Sequence, residues 1–98
     1  MKALIVVDMI NDFIDGQGSL YVENAGRIVP FVNTHIWLND GLTMFANDNH
    51  LKDDKEFDNF PVHAIKGTWG AQLYGGIVMQ LKLLIGHFLV CYFRFYSA

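Results

Sequence analysis

Residues Ala3 to Val7 are apolar without a break, and Asp8 ends the run. A continuous Ala-Leu-Ile-Val-Val stretch suits a strand covered on both faces, so it predicts a parallel sheet between helices rather than a half-solvated hairpin. A turn cluster, Asp15-Gly16-Gln17-Gly18-Ser19, follows closely, with glycines able to take positive φ. Asp8 is thereby predicted at the carboxyl end of a strand, the edge where open α/β sheets build their sites.

From Ala25 onward, Ala25, Ile28, Val29, Val32 and Ile36 recur at three- and four-residue steps, one face of an amphipathic helix. Asn24 is the expected cap, and Pro30 has to fall in or near the first turn, because deeper in a helix it would remove a hydrogen bond. Asn39-Asp40-Gly41 supplies the stop. Leu42, Met44, Phe45 and Ala46 then form a second apolar strand running into Asp48-Asn49-His50. A βαβ crossover aligns the carboxyl ends of its two strands, which is expected to bring Asp8 near Asp48 and His50. Asp48 and His50 stand two residues apart, so continued strand geometry would point both to one side. The run Lys-Asp-Asp-Lys-Glu-Phe-Asp at 52–58 reads as a solvated loop over that edge, with Phe57 and Phe60 as its anchors.

A chain of 98 residues has room for one small domain, and 52% hydrophobic residues favour a packed globule over disorder. The net charge of −3 offers no basic surplus, which argues against nucleic acid or an anionic membrane surface as partner and for a small molecule. The single cysteine, Cys91, rules out an internal disulfide and fits a reducing cytoplasm. Met1-Lys2 leads into only five apolar residues before Asp8, too few for a secretory signal.

The segments Ala3 to Phe13, Glu23 to Asn33 and Phe45 to Leu73 resemble the nicotinamidase and pyrazinamidase branch of the isochorismatase-like cysteine hydrolases. The resemblance implies an α/β, Rossmann-like three-layer fold, here truncated, with a parallel sheet flanked by helices. It implies a role in NAD metabolism, nicotinamide going to nicotinate plus ammonia through an Asp, Lys and Cys set beside a divalent metal. By the same resemblance Asp8 matches the catalytic Asp, and Asp48, His50 and His63 match the metal ligands. Glu56 would be an additional carboxylate ligand, Phe13 would line the ring pocket and Trp69 could stack on the substrate. In this family a thiolate attacks the amide carbonyl while the carboxylate takes the thiol proton and passes it to the departing ammonia. Asp and His ligands suit zinc first, with iron or manganese as alternatives.

Each residue also has a plainer reading. Asp8 could be a turn or helix cap, Asp48-Asn49-His50 a polar loop, and His63 a core histidine bonded to a carbonyl. Glu56 could be one charge of an exposed run, Phe13 core filler, and Trp69 a half-buried anchor. His35, His87, Lys66 and Lys82 have no matching context.

The resemblance stops near Gly75. Residues 1–75 read as the N-terminal part of an isochorismatase-like domain and 76–98 as a divergent apolar segment, the product expected of a frameshift or early stop. Cys91 lies among Leu89, Val90, Tyr92 and Phe93, surroundings that raise a thiol pKa, so it reads as inert filler rather than the nucleophile. Leu83 to Phe93 is too short to span a bilayer. The chain is thus expected to be a nicotinamidase-like amidohydrolase that is catalytically incomplete, acting on a nicotinamide-like molecule. The alternatives are an isochorismatase-like hydrolase of another small molecule, without the metal, and a non-catalytic metal-binding or oligomerising module with homo-oligomers through its apolar surface.

Overall fold

A computed structural model describes residues 2–77 and 88–93. Strand β1 (Ala3–Val7) leads through the short helix α1 (Asn11–Ile14) to α2 (Val29–Leu38), followed by β2 (Leu42–Asp48) and β3 (Phe88–Phe93). The three strands form one parallel sheet in the order β1-β2-β3. Register runs from Ala3 opposite Leu42 to Val7 opposite Ala46, and from Thr43 opposite Phe88 to Asp48 opposite Phe93. The α/β class expected from the apolar runs is the class observed.

The crossover forms where the sequence signals it. A 3-10 turn at Ala25–Ile28 feeds α2, and Pro30 falls at its start, where a missing N–H breaks no helical bond. Asn24 does not cap with its side chain. It adopts φ 65°, and its carbonyl oxygen accepts the Arg27 N–H. Asn39 ends the helix, and its amide donates to Leu42 O and Thr43 Oγ1, tying the helix stop to the start of β2. Gly41 lies so close to the Lys2 carbonyl that a Cβ there would collide with it.

Val6, Met9, Ile14, Ile36, Phe45 and Ile77 form the main core, with Val29 and Val32 of α2 packed against it. Phe45 is fully buried, a contribution of about 2–3 kcal/mol for one aromatic side chain. Ile28 departs from the expected stripe and is exposed. It ends the 3-10 turn, whose three-residue period rotates it away from the face that α2 continues. The expectation that β1 is covered on both faces also fails: Ile5 and Val7 are 58% and 60% exposed. Among the described residues β1 is an edge strand, and α2 covers the face that carries Val6.

Cys91 enters the sheet opposite Ala46, while its side chain, together with Lys82 and His87, lies outside the described residues. No helix among the described residues is long and apolar enough to cross a membrane.

Candidate metal centre

The pairing of β1 with β2 sets the site. Asp8 follows directly on β1 with φ 55°, a left-handed conformation that Asp tolerates, and its N–H donates to Ala46 O. This turns its side chain across to the neighbouring strand end, where Oδ1 accepts the Asp48 N–H at 2.7 Å. Asp8, expected near Asp48 at the sheet edge, is there, joined to it through the Asp48 backbone N–H. Burial raises the Asp8 pKa above its ordinary 3.8. The Asp48 charge pushes the same way, against the downward pull of the Asp48 amide and of His50 and His63.

His50 is fully buried two residues beyond Asp48. A parallel bridge to Ile65 fixes it: its N–H donates to Ala64 O, and its own carbonyl accepts from Lys66. The same bridge carries in His63, which stands two residues before Ile65 and is 3% exposed. Ala64 takes φ 49° to make this possible, an unusual conformation for a residue with a Cβ. Its N–H is held by the buried carboxylate of Asp12 at 2.8 Å. The charged run supplies the fourth group, because a 3-10 turn at Lys55–Asp58 points Glu56 inward.

Asp48, His50, Glu56 and His63 thereby offer four ligand atoms within 4.8 Å of one another. His50 Nε2 lies 2.7 Å from Glu56 Oε2 and 3.5 Å from Asp48 Oδ2. His63 Nε2 lies 3.7 Å and 3.9 Å from the same two oxygens. His63 Nδ1 sits 2.6 Å from Pro61 O, and a carbonyl only accepts, so Nδ1 carries the hydrogen and the Nε2 lone pair of the neutral ring faces the cluster. His50 Nδ1 is likewise 3.0 Å from Asp54 Oδ2. The buried His50 Nε2 and Glu56 Oε2 make no hydrogen bond despite their closeness. Two lone pairs at that separation repel unless a proton or a cation lies between them, and a cation would satisfy all four donors at once.

Rings close the site. Phe57 stacks edge-on against His50 and His63 at 5.3 and 5.4 Å, and Phe13 lies 5.6 Å from His63. Phe13 is also packed against both apolar clusters, so it joins core to site. Phe60, the other expected anchor, is 52% exposed, because the turn that directs Phe57 inward faces Phe60 to solvent. Trp69 contributes its carbonyl, which accepts from the Asn11 amide, while its ring is about half exposed. His35 is exposed on α2 against Phe31, and Lys66 is exposed. Two residues carrying weight here escaped the sequence reading. Asp54 was legible as the residue before a short turn, with the cap preference of Asp, and Asp12 had no local signal.

The chain is thus a parallel α/β sheet whose carboxyl edge holds a carboxylate beside a mixed carboxylate-imidazole cluster, the edge where open α/β sheets build their sites. No protein-family model matches the chain. PncA of Bacillus subtilis, an isochorismatase family protein, is 38% identical over 84 residues, 79% of this chain and 46% of its own length. The nicotinamidase of Saccharomyces cerevisiae is 32% identical, covering 83% of this chain and 52% of its own. The solved pyrazinamidase/nicotinamidase of Streptococcus mutans superposes with a TM-score of 0.83 at 30% identity, over 99% of this chain and 59% of that one. The chain spans about half the length of the curated relatives it matches. It belongs to the isochorismatase-like family.

Proposed function

We propose that the chain carries the metal-and-base half of a nicotinamidase-like amidohydrolase. The observation that carries this reading is the unsatisfied His50 Nε2 and Glu56 Oε2 pair inside a four-donor cluster, one hydrogen bond from Asp8. Asp48, His50, Glu56 and His63 hold the ion, zinc by preference for two imidazoles and two carboxylates, with iron or manganese as alternatives. When bound, the ion supplies Lewis acidity and a fixed point against which a ring nitrogen can be oriented. Asp8 is the proton acceptor, and its raised pKa brings it closer to the range in which a carboxylate exchanges protons near neutrality. Phe13 lines the substrate ring pocket, while the exposed ring of Trp69 is a secondary contact. The yeast nicotinamidase solved with the inhibitor nicotinaldehyde, with a TM-score of 0.71 to this chain, supports a nicotinamide-like ligand. Residues 1–75 are the family portion and 76–98 a divergent segment that adds β3.

The purified 98-residue chain is expected to hold about one equivalent of divalent metal and to release little ammonia from nicotinamide, since neither Cys91 nor a lysine stands in the family context. Metal analysis and ammonia release on one sample decide it: absence of metal removes the reading, and brisk turnover abolished by Cys91→Ala would overturn the incomplete-site part. A second reading is favoured by the β1 edge, where Leu4, Ile5, Val7, Ile28 and Phe31 line an open groove of about 230 Å³. An unpaired apolar edge invites pairing with a second copy. Analytical ultracentrifugation is expected to show self-association, and a monomer at every concentration would rule it out.

A further inference from the structure

Asp54 is not one of the four donors, yet it touches two of them. Its Oδ2 lies 3.0 Å from His50 Nδ1. Its Oδ1 accepts the Glu56 N–H at 2.9 Å, and its side chain is 3% exposed. We propose that Asp54 is the positioning residue of the cluster, a single carboxylate that fixes the tautomer of His50 and the approach of Glu56 together. The inference rests on the reading of the cluster as a metal site.

A carboxylate accepts and does not donate, so the hydrogen of the neutral His50 ring sits on Nδ1 and its lone pair on Nε2, the atom that faces Glu56 Oε2 and Asp48 Oδ2. The other oxygen caps the turn Lys55–Asp58 and so determines where Glu56 begins. The second histidine is backed differently. His63 Nδ1 meets the neutral carbonyl of Pro61 rather than a carboxylate, so the carboxylate backing belongs to His50. Asp54 links the two ligands that approach each other most closely, 2.7 Å, which explains how a repulsive pair is held without a hydrogen bond of its own.

The test is Asp54→Asn in the full chain, titrated with zinc and with cobalt in the absence of substrate. Asparagine keeps one oxygen to cap Glu56, but its NH₂ would face His50 Nδ1 and drive the ring hydrogen to Nε2. Zinc affinity is expected to fall about 10- to 100-fold, the cobalt absorption bands to shift, and the melting temperature of the metal-free protein to stay near that of the parent. Nitrogen NMR of metal-free His50 is expected to show the hydrogen on Nδ1 in the parent and on Nε2 in the variant. Unchanged zinc affinity with an unchanged His50 tautomer overturns the proposal alone. A parent chain that binds no zinc overturns the metal reading and this proposal with it. A variant whose affinity loss is matched by a comparable loss of metal-free stability would show a general packing role and also defeat the proposal.

Discussion

Replacing His50 with alanine abolishes the stabilisation that zinc gives the chain. A ligand that binds only the folded state stabilises it by mass action, about 4 kcal/mol when free zinc is a thousand times its dissociation constant. His50 is the member of the cluster with the most to lose. It is fully buried, its Nε2 lies within 3.5 Å of both Asp48 and Glu56, and its Nδ1 engages Asp54. Without the imidazole, three carboxylates surround a cavity, and no nitrogen remains on that side to complete a tetrahedral set. Urea denaturation with zinc and with chelator measures the difference. The parent is expected to lose several kcal/mol on chelation and His50→Ala essentially nothing, while His35→Ala, on the exposed face of α2, behaves as the parent. If His50→Ala keeps the zinc-dependent shift, the ion is held elsewhere.

Much of this site is readable from strand ends. Asp8 and Asp48 are 40 residues apart, and a parallel β1–β2 pair joined by a helix is enough to juxtapose them. Pro30 also reads correctly, because its missing N–H has only one comfortable place in a helix. The loop residues are harder. Glu56 and Asp54 sit in a run whose composition is that of a solvated surface, and it takes the Asp54-capped 3-10 turn, with the bridge from His50 to Ile65 closing the loop, to direct Glu56 inward. Phe57 and Phe60 look alike in sequence, and a single 3-10 turn decides that one ring meets the histidines while the other meets water. Apolar runs report what could be covered rather than what is. Ala3–Val7 reads as a strand buried on both faces, yet Ile5 and Val7 are exposed because, among the described residues, α2 covers only the face that carries Val6. The aromatic stretch containing β3 has neither clean alternation nor turn signals, so periodicity could not assign it to the sheet.

Asp12 is expected to be the most costly acidic residue to remove outside the donor set. Its side chain is buried, with the residue 7% exposed, and its two oxygens accept from different segments: Oδ1 from Ser19 N–H at 3.0 Å and Oδ2 from Ala64 N–H at 2.8 Å. Gly70 is packed so closely on the carboxylate that a Cβ there would overlap it, which closes a third segment over the same group. Asp12→Ala leaves two N–H groups without their acceptor and opens a void beneath three loops. Hydrogen bonds to a charged group contribute about 1.5–3 kcal/mol each, so the loss should reach about 3–5 kcal/mol by denaturant unfolding. The damage should also be local. Ala64 holds φ 49° against its intrinsic preference, and the Asp12 bond is one of the contacts opposing its relaxation. Release of Ala64 would swing the adjacent His63 away from Asp48 and Glu56, so zinc affinity is expected to fall even where the variant remains folded. Asp12→Asn keeps one acceptor oxygen and should lie between parent and alanine in both measurements. A stability change below about 1 kcal/mol for Asp12→Ala, with zinc binding intact, would show that the loop carrying His63 is held by its bridge to His50 alone.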